Sequence, residues 1–109
     1  MTVLWNVRLS KRAAQDYVEA IRWSHQRFGK GQAQIYAQVL TKAVDALREG
    51  PELGDVRTRD DIGPGIKMLH VGRQGQRGRH FIVFRLSSTN TIDIVRILHD
   101  SMDFSAHVS

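Results

Sequence analysis

Residues 79–99 read RHFIVFRLSSTNTIDIVRILH, and the fold follows from how this stretch is read. Two apolar runs, Phe81-Ile82-Val83-Phe84 and Ile92 to Leu98, are rich in β-branched and aromatic residues and too short for helices. Ser87-Ser88-Thr89-Asn90 between them has the composition of a tight turn. The stretch therefore predicts an antiparallel hairpin of two strands, Arg79–Leu86 and Thr91–Leu98. Apolar residues occupy successive rather than alternate positions, so both faces of each strand are expected to be covered. That places the pair in the middle of a sheet.

Upstream of the hairpin, Ile66–Val71 predicts a third strand, joined to it by Gly72 to Gly78, a basic loop read as flexible. Leu53 to Gly65 is polar and turn-rich, with Asp60-Asp61 and Gly63-Pro64-Gly65, and is read as a loop. The N-terminal half changes period. Val3–Leu9 is short and apolar, and predicts an opening strand; Ser10 is a suitable N-cap for a helix starting at Lys11. Ala14, Tyr17 with Val18, Ile21 and Phe28 then recur at helical spacing, and Gly29 is a natural stop. A second stripe, Ala33, Tyr36 with Ala37, Leu40, Ala43 with Val44 and Leu47, ends at Gly50-Pro51. Two such helices joined by three or four residues predict an antiparallel helical hairpin lying on one side of the sheet. The class is α+β, in the order β-α-α-β-β-β: an N-terminal strand, a helical hairpin and a three-stranded antiparallel meander. A short C-terminal helix is a further possibility. The length, 109 residues, suits one domain spanning 1–109.

Composition narrows the function. Cysteine is absent, which removes disulfides, thiol nucleophiles and cysteine-ligated zinc. No apolar run approaches the roughly 18 residues of a membrane span, and no basic-then-apolar leader opens the chain. A cytoplasmic protein without a membrane role is expected. The net charge is +5. Between Ile66 and His99 stand Lys67, Arg73, Arg77, Arg79, Arg85 and Arg96 against the single acid Asp93, so this one stretch carries the whole excess. Five of its six cations are arginine, suited to bidentate contacts with carboxylate or phosphate. An acidic partner, protein or nucleic acid, fits this distribution; so does a solvated basic face that aids solubility.

The chemical candidates are few. The histidines, at 25, 70, 80, 99 and 107, show neither i, i+4 pairing nor an HExxH pattern, so no metal site is expected, and no cofactor motif is visible. Gly72, Gly75 and Gly78 precede a strand rather than a helix, which removes the amide cradle of a phosphate loop. Metal-independent RNA cleavage would need a base, an acid and cations for the developing phosphorane charge. His99 is the best acid or base, with His80 and His70 behind it, and Arg96 and Arg85 supply charge. Against this, no glutamate occurs after Glu52 and no tyrosine after Tyr36, so the basic half lacks the usual partners of a histidine. Strand alternation also sends Arg96 and His99 to opposite faces unless the strand bends between them. A hydrogen-bonded structural histidine remains the alternative for His99. Phe81 and Phe84, on opposite faces of an apolar strand, read as core rather than as a base-stacking platform.

Val95-Arg96-Ile97-Leu98-His99 followed by Met102-Asp103 resembles the C-terminal signature of the ParE branch of the RelE/ParE toxin superfamily. Other similarities occur in register along the chain. Leu9-Ser10 resembles the end of the opening strand, Phe28-Gly29 with Gln32-Ala33 and Tyr36 the interhelix turn and second helix. Pro51-Glu52-Leu53-Gly54, Gly65-Ile66, Val71-Gly72 and Arg79 to Arg85 resemble the central loop and the next strands. The resemblance implies the toxin of a bacterial type II toxin–antitoxin pair, in hetero-oligomeric complex with an acidic, ParD-like antitoxin. It also implies a target. RelE-like members cut mRNA on the ribosome; ParE-like members inhibit DNA gyrase without being nucleases. The missing C-terminal tyrosine and glutamate favour the second, with no catalytic residue. A nuclease would instead use His99, Arg96 and Arg85, and a non-toxic relative would act only by pairing with an antitoxin. The expected target-binding surface is Arg73, Arg77, Arg79, Arg85, Arg96 and His99, although Arg85 and Arg96 have Asp93 and Asp100 as alternative ion-pair partners within the fold. Trp23 is the expected antitoxin anchor, with packing against the sheet edge as its other reading.

Overall fold

The computed structural model describes residues 4–108. Its elements are β1 (Asn6–Leu9), α1 (Lys11–Phe28), α2 (Lys30–Ala46), β2 (Arg57–Thr58), β3 (Lys67–His70), β4 (His80–Ser88), β5 (Thr91–His99) and α3 (Phe104–His107), with a 3₁₀ turn, Leu47–Glu49, extending α2. The strands form one sheet in the order β1-β5-β4-β3-β2, with β1 parallel to β5 and every other pair antiparallel. The architecture is the expected α+β, with one strand more: Arg57–Thr58, inside the segment read as a loop, pairs with Lys67 and Met68 at the sheet's edge. Two residues are too few to leave a period in the sequence. The opening strand is shorter than expected, and Val3 lies outside the described residues.

β4 and β5 are central because both sheet faces are covered. On one face, Ile82, Phe84, Ile92, Ile94 and Ile97 pack against Ala13, Ala20, Leu40, Ala43 and Leu47 of the helical hairpin. On the other, Val83 and Leu98 pack against Ile62, Ile66 and Val108, with Phe81 against Phe104. The C-terminal segment and the loop before β3 therefore form a second layer.

The helices join through Gly29 alone, not three or four residues. Its φ of 92° and ψ of 175° suit only glycine, which lets one residue end α1 and start α2. Ser10 caps α1 as expected, accepting from the Ala13 N–H at 3.0 Å. The α2 stripe is buried as read, with Val39 added. The α1 stripe is shifted: Ala13, Ala20 and Ser24 are buried, while Val18 and Phe28 stand out in solvent. Small residues at those positions let α1 approach the sheet closely, and periodicity of large apolar residues does not report that contact.

Pairing of β4 with β5 slips between Val83 and Phe84, whose partners are Arg96 and Ile94, so Val95 is an extra residue. The bulge resets the alternation, and Ile97 joins Ile92 and Ile94 in the helix-side core. β1 pairs β5 only from Thr91 to Ile94. Beyond it, side chains of α1 and its cap satisfy the exposed edge: Ser10 Oγ donates to the Val95 carbonyl and Asp16 Oδ2 accepts from the Ile97 N–H.

Candidate functional site

A concavity of about 1160 Å³ opens between the hairpin end of the two helices, the loop after β3 and the turn after β5. Trp23 forms its wall. The ring centroid lies 5.1 Å from His99, 5.3 Å from His80, 5.8 Å from Tyr36 and 5.9 Å from Phe28, and the Arg27 guanidinium stands 5.8 Å over the same ring. Trp23 packs on the core and also lines the cleft.

Beneath Trp23, the Tyr36 hydroxyl accepts from the Arg79 N–H at 3.0 Å and lies 2.6 Å from His80 Nδ1. The hydroxyl is thereby engaged on two sides, by the backbone and by the imidazole. His80 is 5% exposed. Burial, and then the neighbouring His99, lowers its pKa to about 4, so the ring is neutral near pH 7. Burial likewise raises the Tyr36 pKa. His99 Nδ1 accepts from the Ser101 N–H at 3.1 Å and lies 2.8 Å from Ser101 Oγ.

Tertiary structure corrects the reading that the basic half lacks a tyrosine or glutamate. α2 delivers Tyr36 to His80, and α1 brings Glu19 to the cleft. Sequence separation of 44 residues hides that pairing, and Tyr36 reads as one more member of an apolar stripe.

The arginines separate into two places. Arg77, Arg79 and His99 line the Trp23 cleft. Arg73 stands outside its lining, held by Asp55 through bonds of 2.6 and 3.1 Å. The turn it enters holds Gln74 at φ 52° and Gly75 at φ 83°, with the Gln76 N–H donating to the Arg73 carbonyl. Arg79 is bidentate to Asp100 at 2.8 and 3.0 Å. Both pairs draw the aspartate pKa below its ordinary value, chiefly through the guanidinium hydrogen bonds.

Arg85 and Arg96 line a smaller cleft of about 340 Å³, formed with Ser10, Arg12 and the C-terminal His107 and Val108. Arg96 pairs with neither Asp93 nor Asp100. Its Nε and Nη2 hold Asp16 at 2.7 and 3.0 Å, and its Nη1 donates to the His107 carbonyl. Asp93 is taken by Arg8 at 2.9 Å. Arg77 and Arg85 have no carboxylate partner among the described residues.

This order of elements agrees with what comparison finds. The family model described as the ParE toxin of the type II toxin–antitoxin system parDE matches residues 7–104. The chain belongs to the ParE toxin family. Among its relatives, Toxin ParE1 of Mycobacterium tuberculosis is 37% identical over 93 residues, 84% of this chain and 86% of the relative. Toxin ParE1 of Caulobacter vibrioides is 31% identical over 101 residues, 93% of this chain and 95% of the relative. The fold is shared with a chain of the chromosomal ParDE system from P. aeruginosa, with a TM-score of 0.70 at 21% identity over 88% of this chain and 96% of that one. A chain of the Mycobacterium tuberculosis RelBE2 toxin–antitoxin complex aligns at 0.58 and 21% identity, covering 89% and 99%.

Within this ParE family chain, the sequence reading missed the rim of the large cleft. Phe28, Ile35 and Met102 are 61%, 52% and 44% exposed and surround it together with Arg27. Phe28 beside Gly29 carries the one usable signal, since a helix-terminal aromatic has no next turn to pack against. Arg12 and His107 of the smaller cleft carry none. Among the described residues no group of His, Asp and Glu is placed to hold a metal ion, and no helix is long and apolar enough to cross a membrane.

Proposed function

We propose that this chain inhibits DNA gyrase by binding the gyrase–DNA complex, and that an acidic antitoxin neutralises it by occupying the Trp23 cleft. The observation that carries the reading is the state of the cleft's proton-handling groups. The Tyr36 hydroxyl is engaged between Arg79 N–H and His80 Nδ1, His80 is buried and neutral, and His99 Nδ1 is engaged by Ser101. A general acid–base pair needs two groups free to exchange protons with a substrate; here Tyr36 and His80 are turned on one another, and His99 Nδ1 is turned on Ser101. The same cleft offers exposed Phe28, Ile35 and Met102 next to Arg77, which has no carboxylate partner among the described residues. Apolar anchors flanked by cations suit a segment carrying apolar and acidic side chains. Names of relatives and solved complexes support the antitoxin part of this reading: the relatives are called ParE1, and the structures sharing the fold come from toxin–antitoxin systems.

A second reading rests on one specific observation, the convergence of Tyr36, His80 and His99 with Arg79. In it the chain cleaves mRNA on the ribosome, with His99 as acid and the arginines holding phosphate. Purified protein tested for gyrase supercoiling and cleavage-complex formation, beside mRNA cleavage on translating ribosomes, separates the two. Gyrase inhibition with intact mRNA is the expected result. Cleaved mRNA with untouched gyrase would reverse the assignment, and silence in both would leave antitoxin pairing as the function.

A further inference from the structure

The smaller cleft has a composition that neither folding nor the antitoxin reading accounts for. Its charged and titratable lining comes from four elements: Arg12 in the first turn of α1, Arg85 on β4, Arg96 on β5 and His107 in α3. Among the described residues no carboxylate lines it. Asp16 is already engaged by Arg96 and the Ile97 N–H, and Asp93 by Arg8. Arg12 and Arg85 are exposed and have no ion-pair partner among the described residues.

Placement of Arg12 runs against local electrostatics. The first turn of α1 contains Lys11 and Arg12 and no acid, although the N-terminal end of an 18-residue helix favours negative charge. Cations gathered at the positive end of a helix, facing a further arginine across a concavity, lower the chain's own stability and raise its affinity for an anion. A local rule broken without an internal compensation marks a functional position. Arg96 is not free to bind but fixes the shape: tied to α1 through Asp16 and to the C-terminal turn through the His107 carbonyl, it holds the walls of the cleft together.

We propose that this cleft binds phosphodiester groups of duplex DNA. Arginine forks match phosphate oxygens in pairs. The lining contains no aromatic residue other than the His107 imidazole, so it offers little for unpaired bases to stack on, and recognition is confined to the backbone. A duplex, with its dense and regular array of phosphates, is the nucleic acid that such a surface holds best. The proposal extends the gyrase–DNA reading but does not depend on gyrase.

The test is binding of a fluorescently labelled, mixed-sequence duplex by the full chain, from about 50 to about 200 mM salt. Arg12→Gln/Arg85→Gln should shrink the slope of log affinity against log salt by about two and weaken binding about tenfold or more at the lowest salt. Arg22→Gln/Arg48→Gln, exposed cations outside both clefts with the same charge change, should leave most of the slope. Equal effects of the two double variants, or no duplex binding by the parent chain, would overturn the site. Preference for single-stranded RNA, lost in the same variant, would overturn the duplex assignment. The gyrase assay then separates the two readings. Duplex binding through Arg12 and Arg85 with gyrase unaffected supports the site and removes the gyrase reading. Cleavage-complex formation without any duplex binding does the opposite.

Discussion

The two clefts share one basic run of sequence yet differ in almost every physical respect. The larger is walled by Trp23, Tyr36, His80 and His99, and one of its arginines, Arg79, is already bidentate to an aspartate. Among the described residues the smaller has no phenyl, phenol or indole ring and no acid in its lining, and its one paired arginine turns toward α1. One surface offers apolar area with modest charge, the other charge with little else. Net charge along a sequence cannot separate them. Paired arginines contribute little long-range field, whereas unpaired ones at a helix N-terminus contribute their full charge.

The contrast is tested most severely at Asp16, which supports the smaller cleft from below. Arg96 and Asp16 are 13% and 14% exposed in their side chains. Asp16→Ala should cost about 3 kcal/mol in urea denaturation, because a mostly buried guanidinium and the Ile97 N–H lose their partner together. Replacing both residues by apolar ones of similar volume, Asp16→Leu with Arg96→Met, should recover much of that loss. Equal losses in the single and double variants would show that the pair is not what holds this edge.

The larger cleft should answer to pH instead. The folded-state His80 pKa, about 4, lies below the ordinary histidine value of 6.5. The unfolded chain therefore binds more protons between these values, and stability falls as pH drops through that window. It is fully present above the unfolded value and levels off below the folded one. The expected loss from pH 7 to pH 4 is about 3 kcal/mol, and His80→Phe should remove most of this component. Asp55, Asp93 and Asp100, whose pKa values are lowered by their arginines, add a further loss only at more acidic pH.

Rim residues should affect binding without affecting folding. Phe28→Ser and Ile35→Ser should each weaken the complex with the cognate antitoxin about tenfold, while shifting stability by less than about 0.5 kcal/mol. Unchanged affinity in both would remove the cleft from the antitoxin interface. The smallest effect belongs to Arg77→Gln, which should leave the melting temperature unchanged and only reduce the salt dependence of that complex. A fall in melting temperature would mean that Arg77 has a structural partner.

How much of this was legible depended on the range of the interaction. Ser10 as a cap, Gly29 as a stop and the α2 stripe are consequences of neighbours within one helical turn, and each appears where the sequence places it. The α1 stripe misled because its buried face is made of Ala13, Ala20 and Ser24, whose role is close approach rather than apolar bulk. Arg57–Thr58 went unseen because a two-residue strand is defined by its partner. Arg73 and Arg79, read as a target-binding patch, were found held by Asp55 and Asp100, acids 18 and 21 residues away.

The order of strands and helices, the double-faced burial of the central hairpin and the concentration of positive charge were determined by the sequence alone. They arise from local propensity and from patterns a few residues long, which the chain states directly. Only the tertiary structure decided which charges remain free, that Tyr36 meets His80, and that one basic run divides into two surfaces. Those outcomes depend on contacts between residues distant in sequence, made possible by the Val95 bulge and by the helices crossing the sheet. Whether an arginine is spent within the fold or left for a partner is settled by which carboxylate the fold brings to it.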